Sequence, residues 1–509
     1  MIRTKLFKIL VGVGVLALIA AGAVFLPRFF DRSCAAGVER PDGSDECIGV
    51  TAEGYDFKVK EISKVSKAIA AENEEVDRSL SKENETAEGP EHVAVSIAVM
   101  MPFTSTAPEQ LIKMRHELQG IYVQQRQANR VDGVQPKVKL LLANTGDHND
   151  HWETTVDQLV SMVEGPERLR AVTGIATSSE QNKLAVGRLA EHGIPMVGST
   201  ITADDFADVP GLARVSPTNG DEARALVAHT KNDFGDALLV HDTRPSDRFA
   251  QTLRKAFEAQ LPDPEHEPRQ FTSPKEPDNP GNLGNVFNSI VSYICDTDTR
   301  TILFAGRHTP LRVFIDQLSQ AGCGAPGRFT VLTGDEASYL PADPKLNRQA
   351  LAVRKDEKQP RVTVKYAALA HPDAWNAQAG HELPKTGGSA AAYQRLADGI
   401  AEVRDDIGPN ALQDGQTIIG YDAMATAVQG VRAAAGTSGK PPAPADITAQ
   451  WPHLTGSLRV NGASGWICLD NRGNPRNKAV PIVRLPADGN PVFEQFAWPE
   501  QKPPSKDCV

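Results

Sequence analysis

Ser178 and Ser179 stand where the apolar run 170–175 gives way to a helical pattern that starts at 179. Two hydroxyls, the free backbone N–H groups and the positive end of a helix dipole together make an anion site. The plainer reading is that Ser178 caps the helix with Gln181 at its third position, and the two roles can coexist. Ser199, Thr200 and Thr202 follow the next run, 194–198, at the same edge, and by residue type alone they form a hydroxyl-rich turn. Arg307 follows 301–305, from where a guanidinium could fork onto a carboxylate or phosphate or lie on the surface. Asp335 and Glu336 follow 329–332, either as acids of a ligand site or as solvated loop residues.

Other candidates carry less. Asp147-His148-Asn149-Asp150-His151 offers metal-ligand side chains in what reads as a polar loop, and no metal site is assigned to it. Leu383-Pro384-Lys385-Thr386-Gly387 matches a sorting signal, but a long further stretch follows it in place of an apolar tail. There is no GxSxG elbow, GxGxxG, phosphate-binding loop or HExxH. No enzymatic activity and no cofactor are expected.

The elements that must position these residues alternate. Apolar runs predict strands at 93–100, 137–143, 170–175, 194–198, 237–241, 301–305, 329–332 and 362–369. Helical spacing covers 108–130, 151–164, 179–192, 220–233, 247–260, 283–294, 310–321, 389–405 and 420–435. This is the pattern of an α/β protein built on doubly wound sheets. Stretches at 262–280, 341–360 and 371–388 read as surface loops, and 456–498 as short β segments.

A chain of 509 residues is too long for one ordinary core and implies two or three packed units. Its net charge of −10, with no basic block past the N-terminus, argues against nucleic acid as a partner. Ile9–Leu26 is an uninterrupted apolar run of 18 residues behind Arg3, Lys5 and Lys8. It predicts a transmembrane signal anchor over 9–27, residues 1–8 in the cytoplasm, and a single-pass cell-membrane protein with its main body extracytoplasmic. Six cysteines fit export. Proximity suggests Cys34–Cys47, Cys295–Cys323 and Cys468–Cys508, one of fifteen possible pairings. Residues 28–92 read as a tether with an amphipathic helix over 57–80, either a partner-facing stalk or, the preferred reading, a flap docked on the body. Ser79–His92 reads as a linker.

The order of landmarks resembles the type I periplasmic binding proteins, in particular the leucine/isoleucine/valine-binding family of ABC importers, over roughly 93–498. The resemblance rests on Met101-Pro102-Phe103-Thr104, Asn144-Thr145-Gly146-Asp147, and the segment from Val172-Thr173-Gly174 to Ser178-Ser179. Gly193-Ile194-Pro195-Met196-Val197-Gly198-Ser199-Thr200, Arg214-Val215-Ser216-Pro217 and Gly420-Tyr421-Asp422-Ala423 continue it. Thr455-Gly456-Ser457 and the segment from Gly465-Trp466 to Arg472-Gly473 close it.

The resemblance implies two Rossmann-like lobes joined by three crossovers around an interlobe cleft. Lobe 1 would hold 93–216 plus 371–455, lobe 2 would hold 217–370 plus 456–498, and 499–509 would form a tail. In the family, the serines matching Ser178 and Ser179 take a ligand carboxylate, and groups at Ser199, Thr200 and Thr202 complete that site. An acid at Asp335 or Glu336 pairs with the ligand ammonium. The implied function is a solute-binding protein that captures an amino-acid-like or small anionic ligand for an ABC permease. The alternative is a non-transport ligand sensor of the same fold, acting on a membrane or cell-wall partner. Two departures weaken the case for a branched-chain amino acid. Ser246-Asp247 stands where amino-acid binders place a Tyr-Gly pair, and Gly306-Arg307-His308 where the family often has a small residue and an aromatic.

Overall fold

The computed structural model describes residues 32–86, 92–131, 133–230, 234, 236–274, 280–323, 328–353, 359–436 and 440–508. The expected anchor over 9–27 lies outside these residues. Among them no helix is long and apolar enough to cross a bilayer. The expected placement as a single-pass cell-membrane protein is therefore corrected: it rested wholly on the N-terminal apolar run, and the described body supplies no span to support it.

The chain opens with three short strands, β1 (Ser33–Ala35), β2 (Val38–Glu39) and β3 (Ile48–Thr51), followed by helix α1 (Ser63–Thr86). Then comes the predicted alternation: β4 (Ala94–Met101), α2 (Pro108–Asn129), β5 (Lys137–Asn144), α3 (Trp152–Ser161), β6 (Leu169–Ile175), α4 (Glu180–Glu191), β7 (Met196–Gly198) and β8 (Leu212–Arg214). These strands make one sheet in the order β1-β2-β3-β5-β4-β6-β7-β8, parallel from β5 to β8.

A second unit follows with α5 (Asn219–His229), β9 (Leu238–Asp242), α6 (Arg248–Glu258), β10 (Arg269–Phe271), α7 (Leu283–Asp296), β11 (Thr301–Ala305), α8 (His308–Ser319), β12 (Phe329–Thr333) and β13 (Val362–Ala367). Helices α9 (Ala390–Ile407) and α10 (Gln416–Ala435) return to the first sheet, a small antiparallel pair β14 (Val460–Gly462) and β15 (Gly465–Ile467) follows, and β16 (Val480–Leu485) and β17 (Val492–Ala497) complete the second sheet. Its order is β10-β9-β11-β12-β13-β16-β17, parallel up to β13 and antiparallel beyond.

Both parallel blocks share one winding: the first strand lies between the second and the third. The direction in which successive strands are added therefore reverses beside β4 in one sheet and beside β9 in the other. At such a switch point the loops after neighbouring strands diverge and leave a crevice at their carboxyl ends. The near-continuous burial of β4, β6 and β11 is what a sheet covered on both faces requires. Helices α2 and α10 cross so closely that a Cβ on Gly420 would run into the Glu117 carbonyl. Disulfides join Cys34–Cys47, Cys295–Cys323 and Cys468–Cys508, as sequence proximity suggested.

The N-terminal segment is docked. Ile62, Val65, Ile69 and Val76 are buried, and β3 pairs antiparallel with Leu142–Asn144 of β5. Further along β5 the Asn73 amide accepts from Leu140 N–H and donates to its carbonyl, both at 2.9 Å. Asn129 clamps Val138 the same way, at 2.8 and 2.9 Å. The expected linker Ser79–His92 is helical as far as Thr86, because Ser, Lys and Glu at this spacing support a helix; Ser79 Oγ donates to Glu83 Oε1 at 3.1 Å.

Candidate functional site

The loops after β6 and β7 in one sheet face those after β9, β11 and β12 in the other. Ser178 follows β6, and its Oγ accepts the N–H groups of Thr202 and Ala203 at 3.1 and 3.2 Å. It thereby joins two adjacent loops of its own lobe. The helix cap is Ser179, whose side chain accepts from Asn182 N–H at 3.2 Å, so the capping role expected of Ser178 moves one residue on. The hydroxyls of Ser199 and Thr200 donate to the carbonyls of Ile175 and Ala176. Arg214, fully buried, donates to the Ala203 carbonyl at 2.7 Å and to Asn474, which fixes the 201–203 loop from below.

Arg307, at the start of α8, gathers groups from both lobes. Its Nε lies 2.9 Å from Asp247 Oδ2 and its Nη1 2.5 Å from Glu336 Oε1. Nη2 donates to the Ser178 carbonyl, across the lobes, at 2.9 Å, and the guanidinium stands 5.1 Å from the centre of the Phe249 ring. His308 continues the network, with Nδ1 3.0 Å from Glu336 Oε2 and Nε2 3.3 Å from Glu109 Oε1 on α2 of the opposite lobe. Its ring stacks on Tyr339 at 5.1 Å, and Lys113 Nζ sits 5.5 Å from the Tyr339 ring centre. Thr202 Oγ1 lies 3.5 Å from Asp335 Oδ1, again between lobes. Arg248 reaches Glu180 at 2.5 Å and Asp205 at 3.2 Å.

These groups hold one another's charge. Burial alone would raise Glu336, but Arg307 and His308 beside it win and hold it at about 2. Burial alone would lower His308, yet its hydrogen bonds to Glu109 and Glu336 push it up to about 9. Asp335 behaves in the opposite way: burial and the neighbouring Glu336 push it up to about 7. Glu222 on α5 accepts the Asp335 N–H at 3.2 Å and is raised well above its ordinary value by burial and by Asp335. Glu117, buried near Ser199, is raised to about 7 by burial.

Of the eight residues singled out from sequence, Ser178, Thr202, Arg307, Asp335 and Glu336 meet between the sheets. Ser179, Ser199 and Thr200 make contacts within their own lobe. Arg307 points at Asp247 and Glu336, not outward. Sequence reasoning missed Glu109, Asp247, Glu222 and His308. Asp247 reads as an ordinary helix cap and does accept from Ala250 N–H; only the β9–β11 adjacency brings it to Arg307. A surface pocket lined by Ala207, Pro210, Trp451 and Arg472 contains none of the eight.

No family profile matches the chain, and no curated protein does. Solved structures match in shape. A leucine-binding protein from Thermotoga maritima superposes with a TM-score of 0.58 at 17% identity, over 80% of this chain and all of that one. An ABC transporter substrate-binding protein from Desulfitobacterium hafniense, in complex with leucine, gives 0.56 at 16% identity over 79% of this chain and 100% of that one. A solute-binding protein from R. palustris in complex with benzoate gives 0.53 at 16% identity, over 80% and 97%. At these identities the likeness speaks for the fold. The chain has the fold of the type I periplasmic binding proteins, the class its sequence resembles.

Proposed function

We propose that the protein is an extracytoplasmic solute-binding protein that captures a small amino-acid-like or carboxylate-bearing solute between its lobes and presents it to an ABC permease. One observation carries this reading: the two switch-point crevices face each other, with Ser178 and Thr202 on one side and Arg307, Asp335 and Glu336 on the other. Three disulfides support an oxidising compartment. The lobe 2 acids suit an ammonium group. The hydroxyls and the α4 N-terminus suit a carboxylate, a group shared by the leucine, benzoate and 4-hydroxybenzoate bound in similar structures. Ser178, Ser179, Ser199, Thr200, Thr202, Arg307, Asp335 and Glu336 remain the proposed ligand residues, with no catalytic group among them.

A thermal-shift screen against amino acids and aromatic and aliphatic carboxylates tests the reading. A ligand present at a hundred times its dissociation constant should stabilise the protein by about 2.7 kcal/mol. The double variant Ser179→Ala, Asp335→Ala should lose that response. No stabilisation by any member of the panel would shift the assignment to a ligand sensor that does not transport. The cross-lobe pairing of Arg307 and His308 favours that second reading, because it already joins the lobes.

A further inference from the structure

The surroundings of Arg307 are those of a receptor for a cation. Two carboxylates, Asp247 and Glu336, a carbonyl, that of Ser178, and the face of Phe249 converge on its guanidinium. Both acids are buried, and the Arg307 side chain keeps 18% of its exposure. Three of these groups belong to lobe 2 and the Ser178 carbonyl to lobe 1. Such a constellation of carboxylate, carbonyl and aromatic face recognises organic cations.

We propose that Arg307 is the protein's own occupant of an interlobe cation site, a tethered side chain that closes the lobes without a bound solute, and that a guanidinium-type cation can take its place. The closing contact is double. Beside the Arg307 bond to the Ser178 carbonyl, the Phe249 N–H donates to the same oxygen at 3.2 Å. Phe249 is the second residue of α6, a position whose N–H has no acceptor within the helix. Among the described residues its acceptor lies on the opposite lobe, and its hydrogen exchange reports closure directly. The inference does not depend on the identity of any transported solute, so failure of the solute screen leaves it standing.

Hydrogen exchange followed by mass spectrometry on the full chain tests it, reading a peptide over 246–252, with 301–305 of β11 as the core control. In the ligand-free wild type the Phe249 amide should be protected. Arg307→Ala should speed its exchange by about tenfold or more while the β11 peptide stays protected. Methylguanidinium at millimolar concentration should restore protection in Arg307→Ala, and tetramethylammonium, which has no N–H donors, should not. Arg307→Lys keeps the charge and should fall between wild type and alanine. Fast Phe249 exchange in the wild type overturns the proposal whatever the variants do. So does an alanine variant as protected as wild type, or one that opens and is indifferent to methylguanidinium. If alanine unfolds the β11 core as well, the lysine variant decides: partial exposure of Phe249 with β11 intact supports the latch, and protection equal to wild type overturns it.

Discussion

Replacing His308 by glutamine removes the one cationic ring that bridges Glu336 of its own lobe and Glu109 of the other. The native imidazole is pushed to about 9 from an ordinary 6.5, and it is almost wholly buried. A raised base stabilises the fold fully below its unfolded value, and that contribution is lost as pH rises through the folded value. The shift converts to about 3 kcal/mol, drained between roughly pH 6.5 and 9. The raised acids Asp335 and Glu117 act in a lower window: they bind protons in the fold, so their contribution is lost from about pH 4 up to about 7. Glu222, raised well above its ordinary value, and Lys478, lowered to about 8, keep titrating in both proteins, so the contribution of His308 between pH 7 and 9 is read from the difference between wild type and variant. Urea midpoints for wild type and His308→Gln should converge across pH 7 to 9, the stability advantage of the wild type shrinking as the ring loses its proton. A proton NMR titration of the ring should show a midpoint near 9 that drops in Glu336→Gln. Parallel pH profiles for the two proteins, or a ring midpoint at or below 6.5, would refute the account of the network.

Two further substitutions probe how the site is supported. Gly420→Ala drives a methyl into the Glu117 carbonyl and should force α2 and α10 apart, lowering stability by about 1–3 kcal/mol, read as a fall in melting temperature. Asp422 accepts the Ala463 and Ser464 N–H groups at 2.6 and 2.9 Å, and the Lys478 ammonium donates to Ser464 Oγ at 2.7 Å. Asp422→Ala strands those donors and leaves a buried lysine without counter-charge, so a loss of about 3–5 kcal/mol is expected by chemical denaturation. A loss under 1 kcal/mol would mean that water replaces the carboxylate.

The alternation was legible because each central strand is a run of apolar residues long enough to be buried on both faces, as in Ala94–Met101 and Leu169–Ile175. Short strands outside a long apolar run carry no such pattern: β8 and β10 passed unnoticed, and so did β1, β2 and β3, which are held by backbone pairing and a disulfide. The site was half legible for the same reason. Residues at strand ends could be picked out, since every loop after a strand lands at the same edge. Their partners could not. Asp247 meets Arg307 across sixty residues of chain. Glu109 and Glu222 look like solvated helical acids until the packing of α2 and α5 buries them. Arg307 itself could be singled out, but sequence shows only its guanidinium and not the two carboxylates that pair with it.

The way the N-terminal segment seals β5 bears on where this protein can be cut. A parallel sheet that stops at β5 would offer a full row of unmet N–H and C=O groups, a template for another molecule's strand. Here three different devices occupy that row in turn: a strand over Leu142–Asn144, the carboxamide of Asn73 at Leu140, and that of Asn129 at Val138. A fragment begun at the first regular strand would keep only the last of these. It would present bare β5 to its neighbours and stick to them, so the autonomous folding unit extends back to the hairpin closed by Cys34 and Cys47.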